Sequence, residues 1–574
     1  MISYSKLCIP AIAALFFVCT GLHAQSWAIE ESFGGDDNAE AFSLVSHADG
    51  SVTHIGLTQS FGDAWLAPNL HIVHCDLLGN SVWEFVYHTM VATEFNSSAQ
   101  EPIMSISECI NGDLILTTGI VLQPGLPADI LVMRISSFGM PIWTRLLGVD
   151  NTEGDFSSSI IESGDGNIWI TGYVEKPSPG SGTDAIIAQF DALGNLNWSR
   201  IYDGGRDELP RCIRETAEGL YVVAGEADDV AVAYDALQFA VDGTGALVWS
   251  NLHGTALGGE GFSSVVQNTN GFLYATGIYR TDPIADVWVV QTDALTGALI
   301  NGRTYDSGTL EGAWDITTSV TPDNLVLVGE NSGIISAPLD DAFFLEISPD
   351  LSTVVNYKAI GTEFSDALYA VAFSPGDITT TPPTERGYWA VGVSNQPSGG
   401  TGTLSQYLVR TNLTGRTACA MESPITIQPL AESNPYPMAV QPFLGAYPHS
   451  MGFEQAFSPK EICPGVFMPP FAKTAGMQES FAGGSNTMAL ELVVHAQPLK
   501  PGDPLRFSLQ NAPSGEVSIT LSDIRGRELL KTVRTTSAGE NILSLQPQVS
   551  VSGVYVLRVH VQGQVMSAPV VFVD

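Results

Sequence analysis

From about residue 26 to residue 421 the chain is built from short apolar runs separated by polar, glycine-containing turns, and no stretch keeps the 3.6-residue apolar period of a long helix. The runs recur as a unit. An acidic residue opens it, an apolar strand and a polar turn follow, and a second apolar strand closes on glycine; then come an Asp, a third strand, a Gly turn and a Trp that opens a fourth. Asp155, Ile168-Trp169-Ile170-Thr171-Gly172, Asp184, Ala185 to Phe190, Asp191-Ala192-Leu193-Gly194-Asn195 and Trp198 make one copy. Glu208, Tyr221-Val222-Val223-Ala224-Gly225, Asp235, Asp242-Gly243-Thr244-Gly245 and Trp249 make the next. The glycine closing the second strand can be followed through Gly56, Gly119, Gly172, Gly225, Gly277, Gly329 and Gly392, at intervals of 63, 53, 53, 52, 52 and 63 residues. The Trp recurs at Trp83, Trp143, Trp198 and Trp249 and lapses to Ile300 in the fifth unit. Four short strands per unit, joined by Gly, Asn and Asp turns, predict an all-β fold, and seven such units predict a seven-bladed β-propeller.

The two ends of this array are complementary. Trp27 to Gly35 aligns with Trp198 to Gly205, so it reads as an outer strand without a blade; the seventh unit reaches Leu408-Val409-Arg410 and Thr414-Gly415 and then has Cys419 where its Trp strand should begin. The N-terminal strand is therefore expected to complete the last blade and close the ring, pairing edges that would otherwise be exposed. Residues 422–489 are rich in Pro, Met and Phe without a clear period and read as an irregular connector. Residues 490–574 alternate again, in Leu505 to Leu509, Val517 to Leu521 and Val554 to Val559, and predict a small C-terminal β-sandwich.

Residues 1–24 carry Lys6, an apolar run from Leu7 to Val18 and the ending Leu22-His23-Ala24, the pattern of a secretory signal peptide cut after Ala24. Polar Thr20 and His23 interrupt the run before it reaches the length of a membrane anchor, and no later segment is long enough to span a bilayer. Charged residues are only 15% of the chain, yet their balance leaves a net charge of −38, which argues against nucleic acid as a partner because no basic surface replaces its counterions. Beyond Cys8 and Cys19 the cysteines are Cys75, Cys109, Cys212, Cys419 and Cys463, too few for a disulfide scaffold; Cys419 with Cys463 is the candidate bridge.

The units, best in Asp191-Ala-Leu-Gly-Asn-Leu-Asn-Trp198 and Asp286-Val-Trp-Val-Val-Gln-Thr-Asp293, resemble bacterial propeller repeats of secreted proteins. Asp242-Gly-Thr-Gly-Ala-Leu-Val-Trp249 also looks like the blade tail of quinoprotein propellers, which usually have eight blades. Near the C-terminus, Val517 to Arg527 with Asp523, Gly526 and Arg527, followed by Gly553-Val554-Tyr555, resembles the C-terminal sorting domain of the bacterial type IX (Por) secretion system. Two departures are Ala496-Gln497-Pro498 in place of an opening Pro-Asn-Pro, and an end on Val573-Asp574 instead of a basic residue. The resemblance implies that the last domain addresses the chain, through the periplasm and the type IX machinery, to the outer-membrane surface or the medium.

Little local chemistry accompanies this architecture. The chain has no Gly-x-Ser-x-Gly elbow, no His-Glu-x-x-His and no phosphate loop. Glu40, Glu101, Asp155, Glu208, Glu260 and Glu311 precede Gly56, Gly119, Gly172, Gly225, Gly277 and Gly329 at a nearly constant distance, so they are expected to enter neighbouring inner strands at one mouth of the channel. Such a ring could hold Ca²⁺, since hard cations select oxygen ligands. The plainer reading, which turn chemistry favours, is that each carboxylate caps backbone N–H groups of its own inter-blade turn. His71 and His74 lie three apart on a strand and are expected to face opposite sides, which does not suit one metal ion. The marker Trp residues are expected to pack the outer strands. The two longer intervals place extra loop at 87–100 and 374–386, where binding specificity is expected on a rigid scaffold. The reading is of an exported propeller that binds a protein or glycan ligand without a cofactor; the alternative is a secreted hydrolase or quinoprotein-like enzyme with its site at the channel mouth.

Overall fold

In a computed structural model, residues 29–572 are described apart from inter-strand loops, of which the longest stretches left out are 61–67, 96–103, 333–339, 377–385, 396–403 and 462–490. All described regular structure is β, and no described helix is long and apolar enough to cross a membrane. The chain forms two compact units, residues 1–467 and 468–574.

The first unit holds seven antiparallel sheets. Sheet one runs in chain order through Ala39–Ser46, Val52–Thr58, Asn69–Cys75 and Ser81–His88, and the other sheets repeat this meander. The first strands of sheets two to seven are Ser105–Glu108, Asp155–Glu162, Asp207–Glu215, Gly259–Gln267, Glu311–Thr318 and Asp366–Ser374. Each first strand contacts the first strands of the sheets before and after it, and that of sheet seven contacts that of sheet one, so the seven form a closed cycle.

Burial explains why alternation is weak in the middle of each unit. The second and third strands of sheet one, Val52–Thr58 and Asn69–Cys75, are buried along almost their whole length because other sheets cover both faces. Each apolar core is shared between two successive sheets. Ile55, Leu70 and Tyr87 of sheet one pack with Leu116 and Leu131 of sheet two. The cycle is completed by Ala41, Val52 and Val73 of sheet one against Trp389, Val391 and Leu408 of sheet seven.

Sheet seven has only three strands of its own, and its fourth is Ile29–Phe33, paired antiparallel to Ser405–Asn412 from Ile29 opposite Arg410 to Phe33 opposite Gln406. The buried Tyr407 hydroxyl donates to Glu30 Oε2 at 2.7 Å across this junction. The expected closure is therefore present, beginning at Ile29; Trp27 lies outside the described residues.

Of the segment expected to be an irregular connector, the part up to Glu461 is instead a belt, and residues 462–489 lie outside the described residues. Met421–Glu422, Thr426–Pro429, Ser433–Pro435, Ala439–Pro442, Ala446–Pro448, Gly452–Gln455 and Lys460–Glu461 each add a short fifth strand. They pair with the outer strands of sheets six, five, four, three, two, one and seven in turn, so the chain retraces the whole cycle backwards. Strands this short cannot show alternation, which is why the sequence pattern missed them. Pro429, Pro435, Pro442 and Pro448 close four of them at nearly even spacing. Proline is admissible there because a strand at the rim needs hydrogen bonds on only one side.

The second unit has a three-stranded sheet with Leu505–Ala512 at its centre and a four-stranded sheet centred on Gly515–Asp523 and Gly553–Val561. Leu505, Phe507 and Leu509 from one sheet and Val517, Ile519, Leu557 and Val559 from the other share a single core.

Candidate functional site

The repeated glycines and the cycle's interior are one feature. At every marker glycine with a described partner, the facing first strand breaks register, between Ala41 and Ser43, Ser157 and Ser159, Pro210 and Cys212, Phe262 and Ser264, Ala313 and Asp315, and Leu368 and Ala370. The bulge pushes a backbone carbonyl onto the glycine. A Cβ at Gly277 would stand 1.8 Å from the Gly261 carbonyl oxygen, and one at Gly329 would stand 1.9 Å from that of Gly312. Glycine is required there by this close approach.

Each bulge also turns two successive residues toward the middle of the cycle. Phe42-Ser43, Met104-Ser105, Ser158-Ser159, Arg211-Cys212, Ser263-Ser264, Trp314-Asp315 and Tyr369-Ala370, one pair from each first strand, line a common cavity of about 870 Å³. The second residue of a pair can fasten the next strand. Ile106 N–H donates to Ser43 Oγ at 3.2 Å, Ile160 N–H to Ser105 Oγ at 3.3 Å, and Val371 N–H to Asp315 Oδ2 at 2.9 Å.

Chemically the cavity mixes charged and aromatic side chains. Sheets four and five contribute Arg211, Arg214 and Arg280 to its wall. Arg211 Nη2 bonds Glu226 Oε1 at 2.6 Å. The Arg214 guanidinium, charged at neutral pH in any case, has its pKa raised by Cys212 and further by Asp315, with burial opposing the rise. Burial raises the pKa of Asp315, while Arg214 and three donors, the Ser264 hydroxyl at 2.7 Å and the Ile316 and Val371 amides at 2.9 Å, stabilise its charged form. Sheets one, six and seven contribute aromatic rings. Phe42 stacks on Tyr369 with centroids 5.8 Å apart, and Trp314 meets Tyr369 edge-on at 6.0 Å. The arginines share the lining with Glu226, Glu260 and Asp315, and Tyr173, Tyr234 and Phe262 add further rings, so the cavity suits a ligand with charged groups and a flat, partly apolar body.

Of the carboxylates singled out from the sequence, Glu260 borders this cavity, whereas Asp155, Glu208 and Glu311 are not in its lining. Asp155, Glu208, Glu260 and Glu311 are buried at the junctions between sheets, each opposite the residue two beyond a marker glycine. Glu208 Oε1 accepts from Gly204 N–H at 3.1 Å and Arg206 N–H at 3.2 Å, and Glu311 Oε1 accepts from Thr309 N–H at 3.2 Å; both thus cap their own turns. Glu40 is one register position off, opposite Leu57, and Ala39 takes the junction place opposite Thr58. Since side chains alternate, that single step turns Glu40 away from the junction. Glu101 lies outside the described residues, and Glu94, opposite Val121, holds the corresponding register position in sheet two. Asp366, opposite Ser394, completes the set in sheet seven and was missed because the long loop before Gly392 hides its spacing.

His71 and His74 take separate partners, as their spacing required. His71 Nε2 bonds Glu84 Oε1 at 2.9 Å, both wholly buried, whereas His74 Nδ1 bonds Thr53 Oγ1 at 2.8 Å and its ring stacks on Trp83. Burial pushes His74 down to about 3. The marker Trp residues clasp successive sheets: the indole N–H groups of Trp83, Trp143 and Trp249 donate to Ser137, Ala192 and Ala294 carbonyls of the next sheet. Cys75, Cys109 and Cys212 are buried free thiols; Cys419 and Cys463 lie outside the described residues. So do residues 1–24, Gly526, Arg527 and most of both long loops, while Asp523 is the register partner of Tyr555.

The residues that the sequence reading missed, Arg211, Arg214, Arg280, Trp314 and Tyr369, carried a usable signal. Phe42, Ser158, Arg211 and Ser263 stand at one and the same distance before Gly56, Gly172, Gly225 and Gly277, so aligning the units on that glycine would have gathered the bulge positions.

No family model matches the chain, and no curated protein does. Among solved structures it is similar to the hemagglutinin-neuraminidase ectodomain of parainfluenza virus 5, with a TM-score of 0.34 and 10% identity, covering 57% of this chain and 84% of that one. It is also similar to an α-L-arabinofuranosidase from Fusarium graminearum, with a TM-score of 0.34 and 9% identity, covering 67% of this chain and 98% of that one.

Proposed function

We propose that residues 29–461 form a seven-bladed β-propeller that binds an acidic glycan in its central channel, and that a C-terminal β-sandwich of the type IX sorting class delivers it to the cell surface. The observation that carries the binding reading is the cavity of about 870 Å³ whose lining brings Arg211, Arg214 and Arg280 together with Phe42, Trp314 and Tyr369. Guanidinium groups recognise carboxylate or sulfate through paired N–H donors, and aromatic faces stack on sugar rings. In a chain of net charge −38, arginines held together at the centre concentrate the attraction for an anion that the outer surface would repel. The delivery reading rests on the signal-peptide pattern before Ala24 and on Asp523, Gly526, Arg527, Gly553 and Tyr555.

One two-armed experiment tests both. Purified protein is applied to a glycan array, and hits are measured by calorimetry for wild type, Arg214→Ala and Trp314→Ala. Uronic or sialic acid glycans are expected to bind, each substitution weakening affinity about ten-fold or more, in line with loss of ~1.4 kcal/mol or more. Equal binding of neutral glycans, or no effect of either substitution, overturns the channel reading. In a host with the type IX machinery, truncation after Ala496 should keep the propeller off the surface; surface exposure without the last domain overturns the delivery reading.

A further inference from the structure

The carboxylates at the junctions between sheets raise a different question. The Asp that begins a third strand meets the acidic residue that begins the next sheet's first strand, as in Asp184 with Glu208 and Asp286 with Glu311. At two junctions a third carboxylate joins, from the last residue of the intervening fourth strand, Asp203 in one case and Asp306 in the other. At three others that place is glycine, Gly148, Gly254 and Gly361, where a Cβ would stand 2.3 to 2.7 Å from a junction carboxylate oxygen. The two triads, Asp184–Asp203–Glu208 and Asp286–Asp306–Glu311, each gather one oxygen per residue within 4.8 Å of one another.

The first triad has its own cation. Lys176 Nζ lies 2.8 Å from Asp184 Oδ1 and 3.6 Å from Asp203 Oδ1, and also donates to the Arg206 carbonyl at 3.0 Å. Burial lowers the Lys176 pKa, but Asp184, Asp203 and Glu208 outweigh it and hold the ammonium charged. Lys176 stands four residues after marker Gly172. Four residues after Gly277, the corresponding place in the second triad's sheet, stands Thr281.

Nothing among the described residues replaces that lysine: no Lys, Arg or His forms an ion pair with Asp286, Asp306 or Glu311. Glu311 spends Oε1 on Ser307 and Thr309 of its turn, but its Oε2 is buried without a hydrogen-bond partner, and so is Asp286 Oδ1. The two residues are only 2% and 6% exposed. A buried carboxylate oxygen left bare costs several kcal/mol of lost hydration, so two of them converging with the half-buried Asp306 and no counter-charge call for one.

We propose that Asp286, Asp306 and Glu311 bind a divalent cation of the Ca²⁺ class, which takes at this junction the place that the Lys176 ammonium takes two junctions earlier. Ca²⁺ accepts carboxylate oxygens at about 2.3–2.6 Å and completes its shell with water, so three oxygens within this span can share one ion. The ion would tie the end of sheet five to the start of sheet six. This is a structural metal distinct from the channel ligand, so failure of either reading leaves the other standing.

The test uses the full mature chain stripped with EDTA and titrated with CaCl₂ by calorimetry, with melting followed in parallel. Wild type is expected to bind one ion with an affinity in the roughly 10⁻⁴–10⁻³ M range of extracellular modules, and to melt several degrees higher with Ca²⁺. Thr281→Lys should supply the missing ammonium, abolish the binding and make the melt independent of Ca²⁺. Lys176→Thr should expose the first triad and raise the stoichiometry from one to two. Absence of Ca²⁺ binding by wild type overturns the proposal, and so does binding that survives unchanged in Thr281→Lys. If either lysine variant fails to fold, Asp286→Asn serves in its place and must lose the ion.

Discussion

The inner and outer rims of the seven-sheet unit solve the same problem by opposite means. On the inner rim six of the seven first strands show a bulge that seats a carbonyl on a marker glycine, and neighbouring strands are fastened by side chains such as Ser43, Ser105 and Asp315. On the outer rim the fourth strands would end as seven open edges, and the strands of one segment, 421–461, pair with all of them. The inner device is repeated seven times in the sequence because it belongs to each unit. The outer device is written once because it belongs to the ring. Repetition therefore marks what each sheet needs, and the unrepeated segments, Ile29–Phe33 and the belt, mark what the closed assembly needs.

The comparison is sharpened most by removing the outer device. Truncation after Thr417 deletes the belt together with the C-terminal unit, whereas truncation after Ala496 leaves the belt in place. Exposed edges that lose pairing also become sites for intermolecular strand addition. The shorter chain is expected to lose several kcal/mol, a fall in melting temperature of about 5–10 °C, and to aggregate; the longer chain should melt as the full protein does. Calorimetric scans of the two truncations decide it, and equal melts would reduce the belt to a surface dressing.

A smaller effect is expected at a single inner-rim position. Gly329→Ala places a methyl 1.9 Å from the Gly312 carbonyl, which cannot move without straightening the bulge and withdrawing Trp314 and Asp315 from the cavity. Overpacking of this kind should cost roughly 2–4 kcal/mol. Gly112→Ala meets nothing within 4 Å and is opposed only by its φ of 84°, so about 1 kcal/mol is expected. Urea denaturation of both variants reads the contrast, and equal costs would mean that the marker glycine serves only as a flexible joint.

These contrasts also show what was legible in the sequence. The seven units were readable because the tight glycine contact and the Trp clasp leave a residue of fixed type at a fixed interval. Closure by the N-terminal strand was readable because its missing partner, the fourth strand of the seventh unit, was visible as a gap. The belt was not, since its strands are too short to alternate and their pairing is carried by backbone. The channel wall was hidden for a different reason: a bulge frees its two residues from any required type, so Arg211, Ser158, Ser263 and Trp314 share a place but no chemistry. The carboxylate series was legible as a series, and the favoured turn-capping reading holds at Glu208 and Glu311, but the place of Glu40 was not legible. One register step separates Glu40 from Ala39, and a spacing to the marker glycine that itself varies by a position or two does not resolve it.

The least of the expected effects tests the junctions that lie between the two rims. Asp366 is 1% exposed, and burial above all pushes its carboxyl up to about 6, although Thr362 donates to Oδ2 through its amide at 2.6 Å and its hydroxyl at 3.0 Å. Its folded value lies above that of the unfolded chain, about 3.8. The folded protein thus holds an unfavourable charge above pH 6, and stability is recovered as pH falls through 6 toward 4. Asp366→Asn retains an oxygen for Thr362 and removes the charge, so it should stabilise the protein by about 1–2 kcal/mol at pH 7.5 and by almost nothing at pH 4.5. Buried His54 and His253, pushed down to about 3 and about 4, work in the opposite sense, favouring the fold above 6.5 and weakening it as pH falls. Their contribution is common to both proteins and cancels in the difference. Urea melts of the pair across this range should therefore converge at low pH; a constant gap would assign the effect of Asp366 to packing, and the junctions would then be held by shape like the inner rim, with charge playing no part.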